Sequence, residues 1–140
     1  MNIVIADDDP IALELLRESL LADGHTVESA ENGREALALL QHGTARVLIS
    51  DWEMPEMSGP ELCRQLRGSG LSRYVFAILL TARTGRDSLV EGLRAGADDF
   101  LTKPINKNEL LRRVKALLKS KNAKSPLEDV LNYVEMVQHG

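Results

Sequence analysis

The chain has 140 residues, a hydrophobic fraction of 44% and a formal net charge of −4. That length supports one domain with a short appendage, and that apolar content supports a real core. The acidic balance argues against nucleic-acid or anionic-membrane binding by the domain as a whole. No apolar run approaches a membrane span, and a lone cysteine, Cys63, leaves no internal disulfide.

The first apolar run, Asn2 to Ala6, is rich in β-branched residues and reads as a strand. Asp7-Asp8-Asp9 breaks it too early for a signal peptide. With one cysteine, the chain fits a reducing, cytoplasmic setting. Asp9 suits an N-cap and Pro10 the first helical position. Ile11, Leu15, Leu16 and Leu20 recur at helical spacing to about Ala22, and Asp23-Gly24 stops the helix. His25 to Ala30 alternates, as a half-exposed strand near a sheet edge would. Asn32-Gly33 opens a second helix with apolar Ala36, Leu37, Leu39 and Leu40, closed by Gly43.

Val47 to Ser50 reads as a strand buried on both faces, ending abruptly at Asp51. Met57-Ser58-Gly59-Pro60 then turns the chain into a helix carrying Leu62, Cys63 and Leu66; Cys63 falls at a core position. Tyr74 to Leu80 is the longest apolar run and reads as a buried central strand ending at Thr81-Ala82. Gly85-Arg86-Asp87 opens a helix with Leu89, Val90 and Leu93. Asp98 to Thr102 is a short fifth strand ending at Lys103-Pro104, and Asn106 caps a last helix with Leu110, Leu111, Val114, Leu117 and Leu118. The lysines and arginines from Lys103 to Lys124 read as a solvated basic face of that helix.

Strands and helices alternating through short connections predict an α/β domain over residues 1–120. Its five-stranded parallel sheet is doubly wound in the order 2-1-3-4-5, with helices on both faces, as in flavodoxin-like folds. Residues 121–140 read as a linker and a short extra C-terminal helix bearing Leu127, Val130, Leu131, Val134 and Val137, a connector to an output domain or a docking surface. No DNA-binding helix pair fits there, so direct nucleic-acid binding is not expected.

In that strand order the carboxyl ends of strands one, three, four and five share one crevice. It collects Asp7 and Asp8, Asp51, Thr81 and Lys103. Two charges about 4 Å apart repel by roughly 1 kcal/mol in bulk water and nearer 4 at an effective dielectric of 20. A hard divalent cation such as Mg²⁺ relieves that repulsion, and no histidine or cysteine stands by for zinc. A carboxylate can attack phosphorus to give an acyl phosphate. Asp51 is then the candidate nucleophile, with the Thr81 hydroxyl and Lys103 ammonium on the phosphoryl oxygens. Taken singly, each residue has a plainer role: the acidic triplet as a helix cap, Thr81 as a strand-end hydroxyl, Lys103 as a surface lysine.

Four stretches carry a resemblance: Ile5 to Pro10, Ile49 to Gly59, Leu79-Leu80-Thr81-Ala82, and Gly96 to Pro104. Over residues 2 to about 119 the chain resembles the receiver domain of bacterial two-component response regulators. The resemblance implies a signalling protein that is not an enzyme in the ordinary sense, but promotes its own aspartyl phosphorylation and dephosphorylation. Asp51 would accept the phosphoryl group from a sensor histidine kinase or phosphotransfer protein. Mg²⁺ would be held by Asp8, Asp51 and the Glu53 backbone carbonyl, with Asp7 acting through water. Thr81 and Lys103 would bind the phosphoryl group. Phe100 would be the aromatic switch that alters the face of the fourth helix, fifth strand and fifth helix, read by an output domain, a target protein or a second copy. Glu53 and Arg83 match positions that tune the phosphate's lifetime. Asp98, Asp99, Arg112 and Arg113 are equally open to pairs between two copies or within one.

Two other readings remain at this point. In a small Mg²⁺-dependent phosphohydrolase, Asp7 and Asp9 would be nucleophile and acid. In a receiver-like interaction module, no phosphate would be accepted.

Overall fold

In the computed structural model, which describes residues 1–83 and 85–121, five parallel strands form one sheet in the order β2-β1-β3-β4-β5. The strands are β1 (Asn2–Ala6), β2 (Thr26–Ala30), β3 (Val47–Asp51), β4 (Phe76–Thr81) and β5 (Asp99–Thr102). The helices are α1 (Pro10–Ala22), α2 (Gly33–His42), α3 (Gly59–Arg67), α4 (Arg86–Ala95) and α5 (Lys107–Lys121). Apart from Lys121, the expected linker and extra helix lie outside the described residues.

The two central strands, β3 and β4, are buried along their whole length, as their unbroken apolar runs require. Edge strand β2 alternates and is mostly exposed. One core layer joins Val4, Leu48, Ala77 and Leu79 to Leu40, Leu62 and Leu66 of α2 and α3. The other joins Ile3, Ile5, Ile49 and Ile78 to Leu13, Leu16 and Leu20 of α1 and Leu110 and Val114 of α5.

Helix starts follow local chemistry. Asp9 Oδ1 accepts from the Ile11 N–H, Asn32 Oδ1 from Glu35, Ser58 Oγ from Glu61 and Asn106 Oδ1 from Glu109. The α1 face is corrected, however. Ile11 is 72% and Leu15 61% exposed, while Leu13 is buried. At about 100° per residue, the Leu13, Leu16 and Leu20 stripe leaves Ile11 and Leu15 on the opposite side. The apolar spacing is helical, but two stripes overlap in it and only one faces the sheet.

The amino-terminal ends of β4 and β5 are held by Arg67, in the last turn of α3. Its guanidinium donates to the carbonyls of Gly96 and Val75 and to Asp98 Oδ2, and lies 4.5 Å from the Tyr74 ring centroid. Asp98 also accepts from the Tyr74 hydroxyl and from the Ala77 N–H. Arg113 pairs with Asp99 at 2.7 Å. Both acids that were open to pairing between copies therefore have partners within the chain, while Arg112 is exposed.

Candidate functional site

Register brings the expected residues together. β1 pairs with β3 through Ala6 and Ser50, β3 with β4 through Asp51 and Leu80, and β4 with β5 through Thr81 and Thr102. The residues at or just beyond those strand ends therefore ring one depression. Asp7, Asp51 and Thr81 are buried at its floor, and Asp8 is exposed at its rim.

Asp51 Oδ1 accepts from the Trp52 N–H at 3.0 Å and meets Lys103 Nζ at 2.7 Å. Lys103 is placed by its backbone, whose N–H donates to the Thr81 carbonyl and extends the β4–β5 ladder past the strand end. Burial would lower the Lys103 pKa, but its hydrogen bond to Asp51 and the charges of Asp51, Asp7 and Asp8 outweigh it and hold the ammonium above its ordinary value.

Asp7 Oδ1 accepts from the Asp9 N–H at 2.9 Å. Burial is the largest influence on its carboxyl and raises its pKa. Asp51 and Asp8 push the same way, against the Asp9 N–H and Lys103. Carboxylate oxygens of Asp7, Asp8 and Asp51 lie within 4.8 Å of one another. An all-oxygen donor set at that spacing, its repulsion only partly relieved by Lys103, fits a hard cation such as Mg²⁺. Among the described residues no histidine or cysteine joins the cluster, which disfavours zinc. Asp9, the acid a phosphohydrolase would need, is engaged as the α1 cap.

The loop after β3 is tightly closed. The Gly59 N–H donates to the Trp52 carbonyl at 2.8 Å, and a Cβ at Gly59 would stand 2.6 Å from the Asp51 carbonyl oxygen. Glycine is required there by close approach of backbone to backbone. The Thr81 Oγ1 accepts from the Arg83 N–H at 2.9 Å. Phe100 is half-buried against the α2–α4 core layer, beside Leu79 across the β4–β5 ladder. Cys63 is buried on α3 with its thiol pKa pushed up to about 12 by burial, which makes it core and unreactive.

Two features of the site escaped the sequence. One is the seat of Trp52, which is 3% exposed although it follows Asp51 in a loop. The other is the exposed Ile11 and Leu15 beside a groove of about 550 Å³, lined by Asp7, Ala12, Leu15, Lys103, Ile105 and Leu110 among others. Separating the two α1 stripes by helical spacing would have shown that one of them stays off the sheet, but only tertiary packing shows which, and only packing shows the seat of Trp52.

A profile of the response regulator receiver domain matches residues 3–115. The response regulator MprA of Mycolicibacterium vanbaalenii is 44% identical over 119 residues, covering 85% of this chain and 51% of that protein. The chain thus spans about half the length of such curated relatives. Two solved structures match closely. The Francisella response regulator 1452 receiver domain has a TM-score of 0.79 at 33% identity, covering 84% of this chain and 96% of that one. The receiver domain of a Syntrophus aciditrophicus signal transduction histidine kinase has a TM-score of 0.80 at 38% identity, covering 89% and 95%.

Proposed function

The chain belongs to the response regulator receiver domain family, and on that premise we propose that Asp51 is its phosphoacceptor. The observation that supports this best is the Lys103 ammonium at 2.7 Å from Asp51 Oδ1, beside the clustered Asp7 and Asp8. An Asp51 carboxylate oxygen attacks the phosphorus of a phosphohistidine. The P–N bond breaks, its electron pair stays on the imidazole, and an acyl phosphate forms on Asp51. Lys103 stays on a phosphoryl oxygen, and the Thr81 hydroxyl turns to donate to another. Asp8, Asp51 and the Glu53 carbonyl would hold Mg²⁺, with Asp7 acting through water. Bound there, the ion supplies neutralisation of the phosphoryl oxygens' charge. Hydrolysis of the acyl phosphate at the same site returns the free carboxylate.

The donor is a sensor histidine kinase or phosphotransfer protein, met in the cytoplasm. Exposed Ile11 and Leu15, next to the groove that opens on Lys103, offer it an apolar footing. Phosphorylation replaces a carboxylate with a larger group of about −1.5 to −2 charge. Thr81 and Phe100 carry that change to the face of α4, β5 and α5, where an output domain, a target protein or a second copy responds.

Intact mass after incubation with Mg²⁺ and acetyl phosphate tests the reading. One added phosphoryl group is expected, absent from Asp51→Asn. Steady turnover of a phosphate ester that survives Asp51→Asn would favour the hydrolase with Asp7 and Asp9. No adduct with either acetyl phosphate or beryllofluoride would favour an interaction module. Solution mass with and without beryllofluoride reports whether the active form pairs with a second copy.

A further inference from the structure

Three residues around Asp51 converge on Arg83. Its guanidinium carbon lies 5.2 Å from the centroid of the Trp52 ring. Its Nε and Nη2 both donate to Glu53 Oε1, at 3.0 and 2.6 Å. Its backbone N–H donates to Thr81 Oγ1 at 2.9 Å. Trp52 gives the cation a fixed platform. The indole is buried, the Trp52 backbone N–H donates to the Leu80 carbonyl, and α4 closes on the ring so tightly that a Cβ at Gly92 would stand 3.1 Å from it. Arg83 itself lies between β4 and α4. One side chain thus ties the end of β4 to the loop after β3, while its backbone N–H donates to Thr81.

We propose that Arg83 is a positioning residue that latches the segment just after β4, Ala82 and Arg83, onto Trp52 and Glu53 in the unphosphorylated chain. The inference rests on the reading that Thr81 turns to a phosphoryl group on Asp51. When Thr81 Oγ1 turns, the Arg83 N–H loses its acceptor and Ala82 and Arg83 are released from that tie. The guanidinium then leaves the Trp52 face. An exposed cation–π contact and an exposed ion pair are each weak, so together they bias the segment by about three- to thirtyfold. That range suits a switch, since a much stronger latch would block activation. Arginine suits this geometry: its guanidinium sits over the ring while Nε and Nη2 both donate to Glu53 Oε1, two N–H donors that a lysine ammonium's point charge does not hold in the same plane.

The test compares the full chain with Arg83→Ala and Arg83→Lys, reading Trp52 emission and beryllofluoride affinity in Mg²⁺. Trp52 is the one tryptophan, so its emission is unambiguous. The latch predicts altered emission in unliganded Arg83→Ala, affinity for beryllofluoride tighter by about three- to thirtyfold, and emission that coincides with wild type at saturation. Arg83→Lys should follow Arg83→Ala. Wild-type behaviour restored by Arg83→Lys would mean that charge alone matters and would overturn the latch, as would affinity unchanged or weakened in Arg83→Ala. A wild-type chain that binds no beryllofluoride overturns the Asp51 reading itself, and the latch's switching role with it. That failure is told apart because it appears before any substitution at Arg83.

Discussion

Lys103 Nζ touches Asp51 Oδ1 at 2.7 Å, so the cation that would steady a phosphoryl group already holds the bare carboxylate in place. Lys103→Ala should slow labelling by acetyl phosphate at least tenfold, on the order of 1.4 kcal/mol of lost transition-state stabilisation, and shorten the life of any adduct. Stability carries a second signature. The folded-state pKa of Lys103 is raised, so its contribution is complete below lysine's ordinary pKa and is lost as pH rises through the higher folded value. Urea melts of wild type and Lys103→Ala should differ by a constant amount from pH 7 into the alkaline range and converge only above it. A gap that closes near neutrality would count against the pairing.

The acidic cluster should cost the protein stability when no cation is present. Asp7 has a raised folded-state pKa, so its share of stability is complete below the ordinary carboxylate range and lost as pH rises through the raised value. Once ionised, the group is a net cost. Asp7→Asn should therefore stabilise the fold in Mg²⁺-free buffer by on the order of 1 kcal/mol, with the advantage shrinking as pH falls toward 4. Mg²⁺ should raise the melting temperature of wild type more than that of the variant. A lower melting temperature for Asp7→Asn without metal is the outcome that sinks this account.

Gly59 has no room for a methyl group. The obstacle is the Asp51 carbonyl oxygen, at 2.6 Å from an added Cβ, and backbone does not rotate aside as a side chain would. Gly59→Ala should cost about 1–3 kcal/mol in chemical denaturation. It should also slow acetyl-phosphate labelling, because the clash bears on the peptide unit of Asp51.

Ile11 and Leu15 should separate partner recognition from chemistry. Both side chains are exposed, so Ile11→Ser with Leu15→Ser should alter stability by less than about 0.5 kcal/mol per site. Transfer from a phosphohistidine protein should fall severalfold, while acetyl phosphate, which needs no docking face, labels Asp51 as before. Equal loss with both donors would place the defect in the site and remove the footing on α1.

The strand order and most of the site were legible because both are written in local terms. Apolar runs with breakers located the strands, and the strand ends delivered Asp7, Asp51, Thr81 and Lys103 to one depression. Ile11 and Leu15 were misjudged because periodicity reports a helix without saying which of two apolar stripes meets the sheet. Asp98 offered a similar ambiguity. In sequence it is one of two adjacent acids, and only the fold directs it toward Arg67, Tyr74 and Ala77 and its neighbour toward Arg113. The Arg83 contact with Glu53 joins residues 30 positions apart, and that with Trp52 one more, beyond the reach of any local pattern.

The Arg67 clamp has a mechanical consequence. It grips the start of β4 and the corner between α4 and β5, whereas Thr81 lies at the other end of β4, roughly 17 Å away along a six-residue strand. With its carboxyl end anchored at Gly96, α4 would answer a pull at Thr81 by tilting, and displacement would grow with distance from that pivot. Amide exchange compared with and without beryllofluoride should show that gradient: large changes near Arg83 and the first turn of α4, fading to none at Ala95 to Asp98. Cutting the anchor with Arg67→Ala should flatten it, leaving a domain that accepts phosphate yet delivers less of the motion to its far surface.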